Sequence, residues 1–136
     1  MAWEISDDEA RSSFEVVDVS FLPAIDHPDI RLVPSVDRPC GCHHCHADWQ
    51  SIAAAAVLIF EEGIDPLDRP AISSRAEVLG LDERHRRWLL DLFSPTQGII
   101  VLRDNEEFTN GMHRTHALRM YGVERCVIYT GKGELP

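Results

Sequence analysis

A chain of 136 residues with 44% hydrophobic and 26% charged side chains has the size and composition of one globular domain, which excludes a wholly disordered protein. A formal charge of −10, carried by 14 acids against 3 arginines in residues 1–68 and by 9 acids against 10 bases in residues 69–136, excludes the basic surface that non-specific DNA binding requires. No basic leader precedes an apolar run and no apolar stretch approaches the roughly 20 residues of a membrane helix, so a cytoplasmic protein without a membrane partner is expected.

Residues 1–13 are acidic, with Glu4, Asp7, Asp8 and Glu9, and are expected to be disordered unless Trp3 and Ile5 dock them. Phe14 to Val19 is β-branched and aromatic, which predicts a strand ending in a turn at Pro23. The proline-bearing segment from Pro23 to Pro39 predicts irregular surface chain. Asp48 has the chemistry of an N-cap for a helix from Trp49 to about Glu62, and Gly63 supplies its stop. That helix is apolar on every face from Ile52 to Phe60, so it needs cover all round, from the domain or from a second copy. Ser74 and Glu77 have capping-box spacing for a short helix ending at Gly80, and Asp82 opens another from Glu83 to Phe93. Gly98 to Leu102 predicts a buried strand that turns into Glu107–Thr109 as a hairpin. A helix over Arg114 to Tyr121, stopped by Gly122, and a strand over Cys126 to Tyr129 complete the chain.

Cys40-Gly41-Cys42-His43-His44-Cys45-His46 concentrates soft and borderline ligands, and the two residues between Cys42 and Cys45 are a common zinc-chelate spacing. Near neighbours cannot staple distant parts of a chain, so a disulfide framework is not expected. Structural zinc on Cys40, Cys42 and Cys45 with His44 or His46 is the leading expectation, and His27, His85, His116 or Cys126 are distant groups that can complete the site. The alternatives are a catalytic zinc site completed by His113 or His116 and a thiol redox switch at Cys40, Cys42 and Cys45. Cys126 itself, in a predicted strand, reads most simply as a core residue.

Asn110-Gly111-Met112-His113-Arg114-Thr115 sits where a strand hands over to a helix, so backbone N–H groups without intrahelical acceptors point outward together. Gly111 allows close approach, Arg114 can grip phosphate oxygens bidentately, and the small Ala117 lets the helix pack on the sheet. His113 and His116 share one side of that helix and can flank an anion or metal. Glu107, with Glu106 and Asp104, is near enough to act as a base or magnesium ligand, so Arg114, His113 and Glu107 are the candidate catalytic groups.

Gly111, His113, Arg114 and Ala117 match the Gly-x-His-Arg-x-x-Ala box of the ParB/sulfiredoxin-like superfamily, which this chain resembles over about two-thirds of its length. Phe14 to Leu22 resembles the family's opening strand and turn, Leu81 to Val101 its helix and next strand, and Leu118 to Val123 with the closing strand the part after the box. The resemblance implies a small α+β domain over residues 1–136, a mixed sheet packed with helices, with residues 37–70 as a Cys/His-rich and helical insertion. It also implies nucleotide-phosphate binding, of ATP or CTP with magnesium, and NTPase, phosphotransferase or nuclease chemistry as the reactions members perform. Met112 stands where sulfiredoxins carry their cysteine, so sulfinic-acid reduction is not expected. Chromosome-segregation members carry a helix-turn-helix region after the box and 19 residues follow Ala117 here, so centromere-type binding is not expected. The rival reading is a non-enzymatic interaction module, pairing through its acidic half or as a homodimer through the Ile52–Phe60 helix.

Overall fold

The computed structural model describes residues 7–22, 47–102, 107–110 and 112–131, giving at Asp7, Leu102, Glu107–Asn110, Met112, His113 and Gly131 the backbone alone. The Cys40 to His46 cluster, His27 and Gly111 lie outside the described residues.

The chain is mixed α+β. Its strands β1 (Phe14–Asp18), β2 (Ile100–Leu102), β3 (Glu107–Asn110) and β4 (Arg125–Gly131) form one sheet in the order β1-β4-β2-β3. β4 runs antiparallel to β1, with Phe14 opposite Tyr129, and parallel to β2, with Ile100 opposite Tyr129. β2 and β3 form the expected hairpin, with a register shift between Ile100 and Val101. Cys126, Val127, Ile128, Tyr129 and Thr130 are all buried, because β4 is an inner strand. Such a position selects a continuous run rather than alternation. Phe14 meets Tyr129 edge-on at 5.1 Å between ring centroids and Phe93 at 6.1 Å, joining the sheet to the helical layer.

Among the described residues five helices cover the sheet and its ends: α1 (Asp7–Ser12), α2 (Trp49–Glu61), α3 (Arg69–Val78), α4 (Glu83–Leu92) and α5 (Met112–Met120), with a 3-10 turn at Val19–Phe21. α2 crosses β4 and also packs on α3, α4 and α5. Trp49, Ile52, Ala53, Ala55, Ala56, Val57 and Ile59 are buried. The helix does not need cover all round, however: Gln50, Ser51, Ala54 and Leu58 face outward, so alanine and one leucine tolerate solvent where the sequence suggests a fully enclosed rod.

Capping explains where these helices begin. Asp48 accepts from the Ser51 N–H at 3.2 Å and its hydroxyl at 2.8 Å, and Asp82 accepts from the His85 N–H at 2.9 Å. α3 starts five residues before Ser74, at Arg69, because the Asp68 carboxylate accepts from the Ala71 N–H at 3.2 Å and Pro70 sits in the first turn. The Ser74–Glu77 spacing therefore falls inside the helix and caps nothing. Gly63, Gly80 and Gly122, with φ of 80°, 95° and 70°, supply the left-handed turns that end α2, α3 and α5.

Asp7 to Ser12 is helical, within the stretch expected to be disordered. Acids at its start and Arg11 in its last turn complement the helix dipole. Arg11 Nε donates to both oxygens of Asp65, at 2.9 and 3.0 Å, and the buried Ser13 hydroxyl donates to Glu9 O at 2.8 Å. Thr130 N–H and hydroxyl both donate to Ser13 O, at 2.8 and 2.9 Å, which docks the helix end on β4.

The caps and surface pairs set an acid limit on stability. Hydrogen bonds from Ser51 to Asp48, from the Leu67 N–H to Asp65, from the His85 N–H to Asp82 and from Arg75 to Glu62 hold these carboxyls below their ordinary values of 3.8 for aspartate and 4.5 for glutamate. A group with a depressed folded-state pKa stabilises fully above its unfolded pKa and loses that contribution as pH falls through the folded one. The urea midpoint is therefore expected to drop most steeply below about pH 4. A midpoint unchanged between pH 5 and about pH 3 would contradict this assignment.

Candidate functional site

The box lies at the β3–α5 junction. β3 ends at Asn110 and α5 starts at Met112, two residues before the predicted start, so the junction is one residue long. The first N–H groups of α5 have no acceptor within the helix, which gives the junction a partial positive charge. Of the predicted site residues, the structure places the side chains of Arg114, Thr115 and His116, all buried, in the first turns of this helix. The side chains of Asn110, Met112, His113 and Glu107 and the whole of Gly111 lie outside the described residues. Ala117 and Leu118, fully buried, press α5 onto the body of the protein. Arg119 Nη2 donates to Leu22 O at 2.8 Å, which ties the helix to the turn after β1.

Arg114 is not the free guanidinium that the sequence suggests. It is 8% exposed, its Nη2 donates to Asp91 Oδ2 at 3.1 Å, and its Cζ lies 5.7 Å above the centroid of the Trp88 ring. Burial lowers the pKa of the guanidinium while Asp91 opposes that shift, and an arginine stays protonated through such changes. The charge thus gains a carboxylate and an aromatic face in exchange for water. The exchange is incomplete, because Arg114 Nε and the Thr115 hydroxyl are both buried without a hydrogen-bond partner among the described residues. Buried polar atoms of this kind cost about 1–3 kcal/mol each, so two at consecutive positions require an account.

Asp91 is held in place from behind. Its carbonyl accepts from the Ser94 N–H at 3.1 Å, and a Cβ on Gly98 would come within 2.7 Å of that same oxygen. Gly98 is thus required by close approach of the β2 lead-in to the end of α4. Sequence reasoning missed Asp91. The available signal was its position three residues after Trp88, which puts a carboxylate beside the ring on one side of α4.

His85 and Cys126, named as distant groups able to complete a zinc site, are committed elsewhere. The Asp48 N–H donates to His85 Nε2 at 3.1 Å, which leaves the ring proton on Nδ1, 2.7 Å from Asp82 Oδ1. The histidine therefore bridges the starts of α2 and α4 and is 19% exposed, rather than lying on the open surface. Cys126 is fully enclosed in β4, where burial pushes its thiol up to about 12 and its Sγ faces Val127 O at 3.6 Å. It is a core thiol, as expected, and poorly suited to give the thiolate a metal needs. Among the described residues no group of three or more His, Cys, Asp or Glu is arranged to hold a metal ion.

A groove of about 580 Å³ separates α2 from the α5–β4 turn, lined in part by Ala54, Leu58, Glu61, Gly122 and Arg125. Glu61 and Arg125 pair across its rim at 3.5 Å. Arg114, Thr115 and Asp91 are not in its lining, so the groove and the box are separate features. Among the described residues no helix is long and apolar enough to cross a membrane. Comparison with protein-family models, with curated proteins and with solved structures returned no match, so the family resemblance stands on the residues that carry it.

Proposed function

We propose that the chain is a ParB/sulfiredoxin-like protein whose β3–α5 junction binds the phosphates of a nucleotide such as ATP or CTP. The observation that carries this reading is the Arg114 guanidinium, buried at the start of α5 with its Nε–H unsatisfied among the described residues. A phosphate oxygen is the acceptor that such a donor lacks, and the helix start adds favourable charge. Gly111, Asn110, Met112, His113 and Thr115 form the rest of the binding segment in this reading, with Glu107 and His113 as its candidates for assisting magnesium or proton transfer. NTPase, phosphotransferase and nuclease chemistry all use such a grip, and the choice among them belongs to the second substrate.

Structural zinc on Cys40, Cys42 and Cys45 with His44 or His46 completes the proposal, supported by ligand spacing and by the commitment of His85 and Cys126 to other partners. Elemental analysis of purified protein tests it: one equivalent of zinc is expected, and metal-free protein with a Cys40–Cys42 link after mild oxidation would favour the redox switch instead.

A nucleotide panel with magnesium tests the main reading. A ligand present at a hundredfold excess over its Kd stabilises the fold by about 2.7 kcal/mol, a shift readily seen in thermal unfolding. At least one of ATP, ADP or CTP is expected to raise the Tm; silence across the panel would remove the proposal. The second reading, an interaction module, is favoured by the groove beside Leu58, which is 40% exposed, and stable dimerisation lost in Leu58→Glu would support it.

A further inference from the structure

Arg114 presents its Nε and Nη2 N–H groups on one edge, the edge that takes two oxygens of a carboxylate or phosphate side by side. In this chain Nη2 has a carboxylate partner, while Nε has none among the described residues. Asp91 Oδ2 accepts from Nη2 at 3.1 Å, longer than the 2.7–2.9 Å typical of charge-assisted bonds. The two ends of the pair differ in their access to water: the Arg114 side chain is 10% exposed and that of Asp91 31%. A buried guanidinium cannot return to solvent cheaply and so requires an anion, whereas a carboxylate one-third exposed can let go and hydrate.

We infer that Asp91 is a built-in competitor for the ligand at Arg114, an occupant of the phosphate edge that an incoming phosphate displaces. This rests on the phosphate-binding reading and deepens it by assigning the site a gate and a selectivity. A single carboxylate gains little by replacing another, while a phosphate dianion carries more charge and oxygens enough to fill both Nε and Nη2. The gate thus favours phosphate-bearing ligands over carboxylate metabolites of similar size. It also keeps Arg114 charged, oriented and paired in the empty protein, with Trp88 as the fixed surface beneath it.

The test is calorimetric titration of inorganic pyrophosphate and of ATP, in EDTA, into wild type and Asp91→Asn. Removing the competing charge while keeping the side-chain shape is expected to tighten binding about tenfold, or about 1.4 kcal/mol. Equal affinities in the two proteins would overturn the inference and leave phosphate binding standing. Weaker binding to the variant would also overturn it, since Asp91 would then be positioning Arg114 for the ligand. If neither protein takes up either probe, the phosphate reading itself fails and the inference falls with it. Should the variant not fold, carbon-detected NMR of the wild-type Asp91 carboxyl gives the answer: its signal is expected to move toward that of a free carboxylate on pyrophosphate saturation, and a signal unchanged at saturation would overturn the inference.

Discussion

Arg114→Ala is expected to lower the unfolding free energy by about 2–3 kcal/mol and, separately, to abolish the nucleotide-induced rise in Tm. The stability loss follows from the environment of the side chain rather than from the ligand. Removing one member of a buried ion pair commonly costs about 3–5 kcal/mol, because the other charge is stranded. Asp91 is 31% exposed and regains some hydration, which places the cost below that range. The contact with the Trp88 face and the packing of the aliphatic stem are lost as well. Arg114→Lys keeps the charge near Asp91 but not the planar fork, so it should recover part of the stability and little of the ligand response. Urea unfolding with and without nucleotide separates the two roles. A ligand response that survives in Arg114→Ala would make the residue a strut between α4 and α5 and nothing more.

The structural partner of Arg114 marks the limit of what the sequence could say. Elements fixed by local chemistry were legible: Asp48 and Asp82 cap their helices, Gly63 and Gly122 stop theirs, and the apolar run in β4 is buried. Each of these depends on residues within a few positions of one another. The Asp68 cap was open to the same reasoning, but a capping-box spacing at Ser74 drew attention past the Asp-x-Pro start that wins in three dimensions. The helix at Asp7 was hidden by its charge, since an acidic terminus looks solvated until Asp65 is known to face Arg11. The candidate site divides in the same way. The strand-to-helix junction at Asn110 and Met112 could be read from a glycine and the pattern on either side. The partner of Arg114 could not, because Asp91 lies 23 positions away and only the packing of α4 beside α5 makes them neighbours. The bridge from His85 to the Asp48 N–H, across 37 positions, escaped for the same reason.

Trp49→Ala is expected to have the largest effect on stability, about 3–5 kcal/mol, measured as a fall in the urea midpoint at neutral pH. Trp49 is fully buried in the first turn of α2 and stacks at a tilt on Trp88, with ring centroids 5.9 Å apart. Truncation therefore leaves a large cavity where α2 meets α4, and the small residues nearby, Ala47, Ala53 and Ala56, cannot fill it without moving the backbone. Trp49→Phe retains most of the ring and should cost much less. The cavity also opens beside Trp88, whose ring contacts both Trp49 and Arg114. Trp49→Ala and Arg114→Ala should consequently be non-additive: once Trp88 has lost its backing, the cation–π contact is already weakened and deleting Arg114 removes less. A coupling of about 0.5 kcal/mol or more in the double-mutant cycle is expected from residues sharing a partner in this way. Strict additivity would mean that Trp88 is held independently of Trp49, and that the core and the Arg114 guanidinium are mechanically separate.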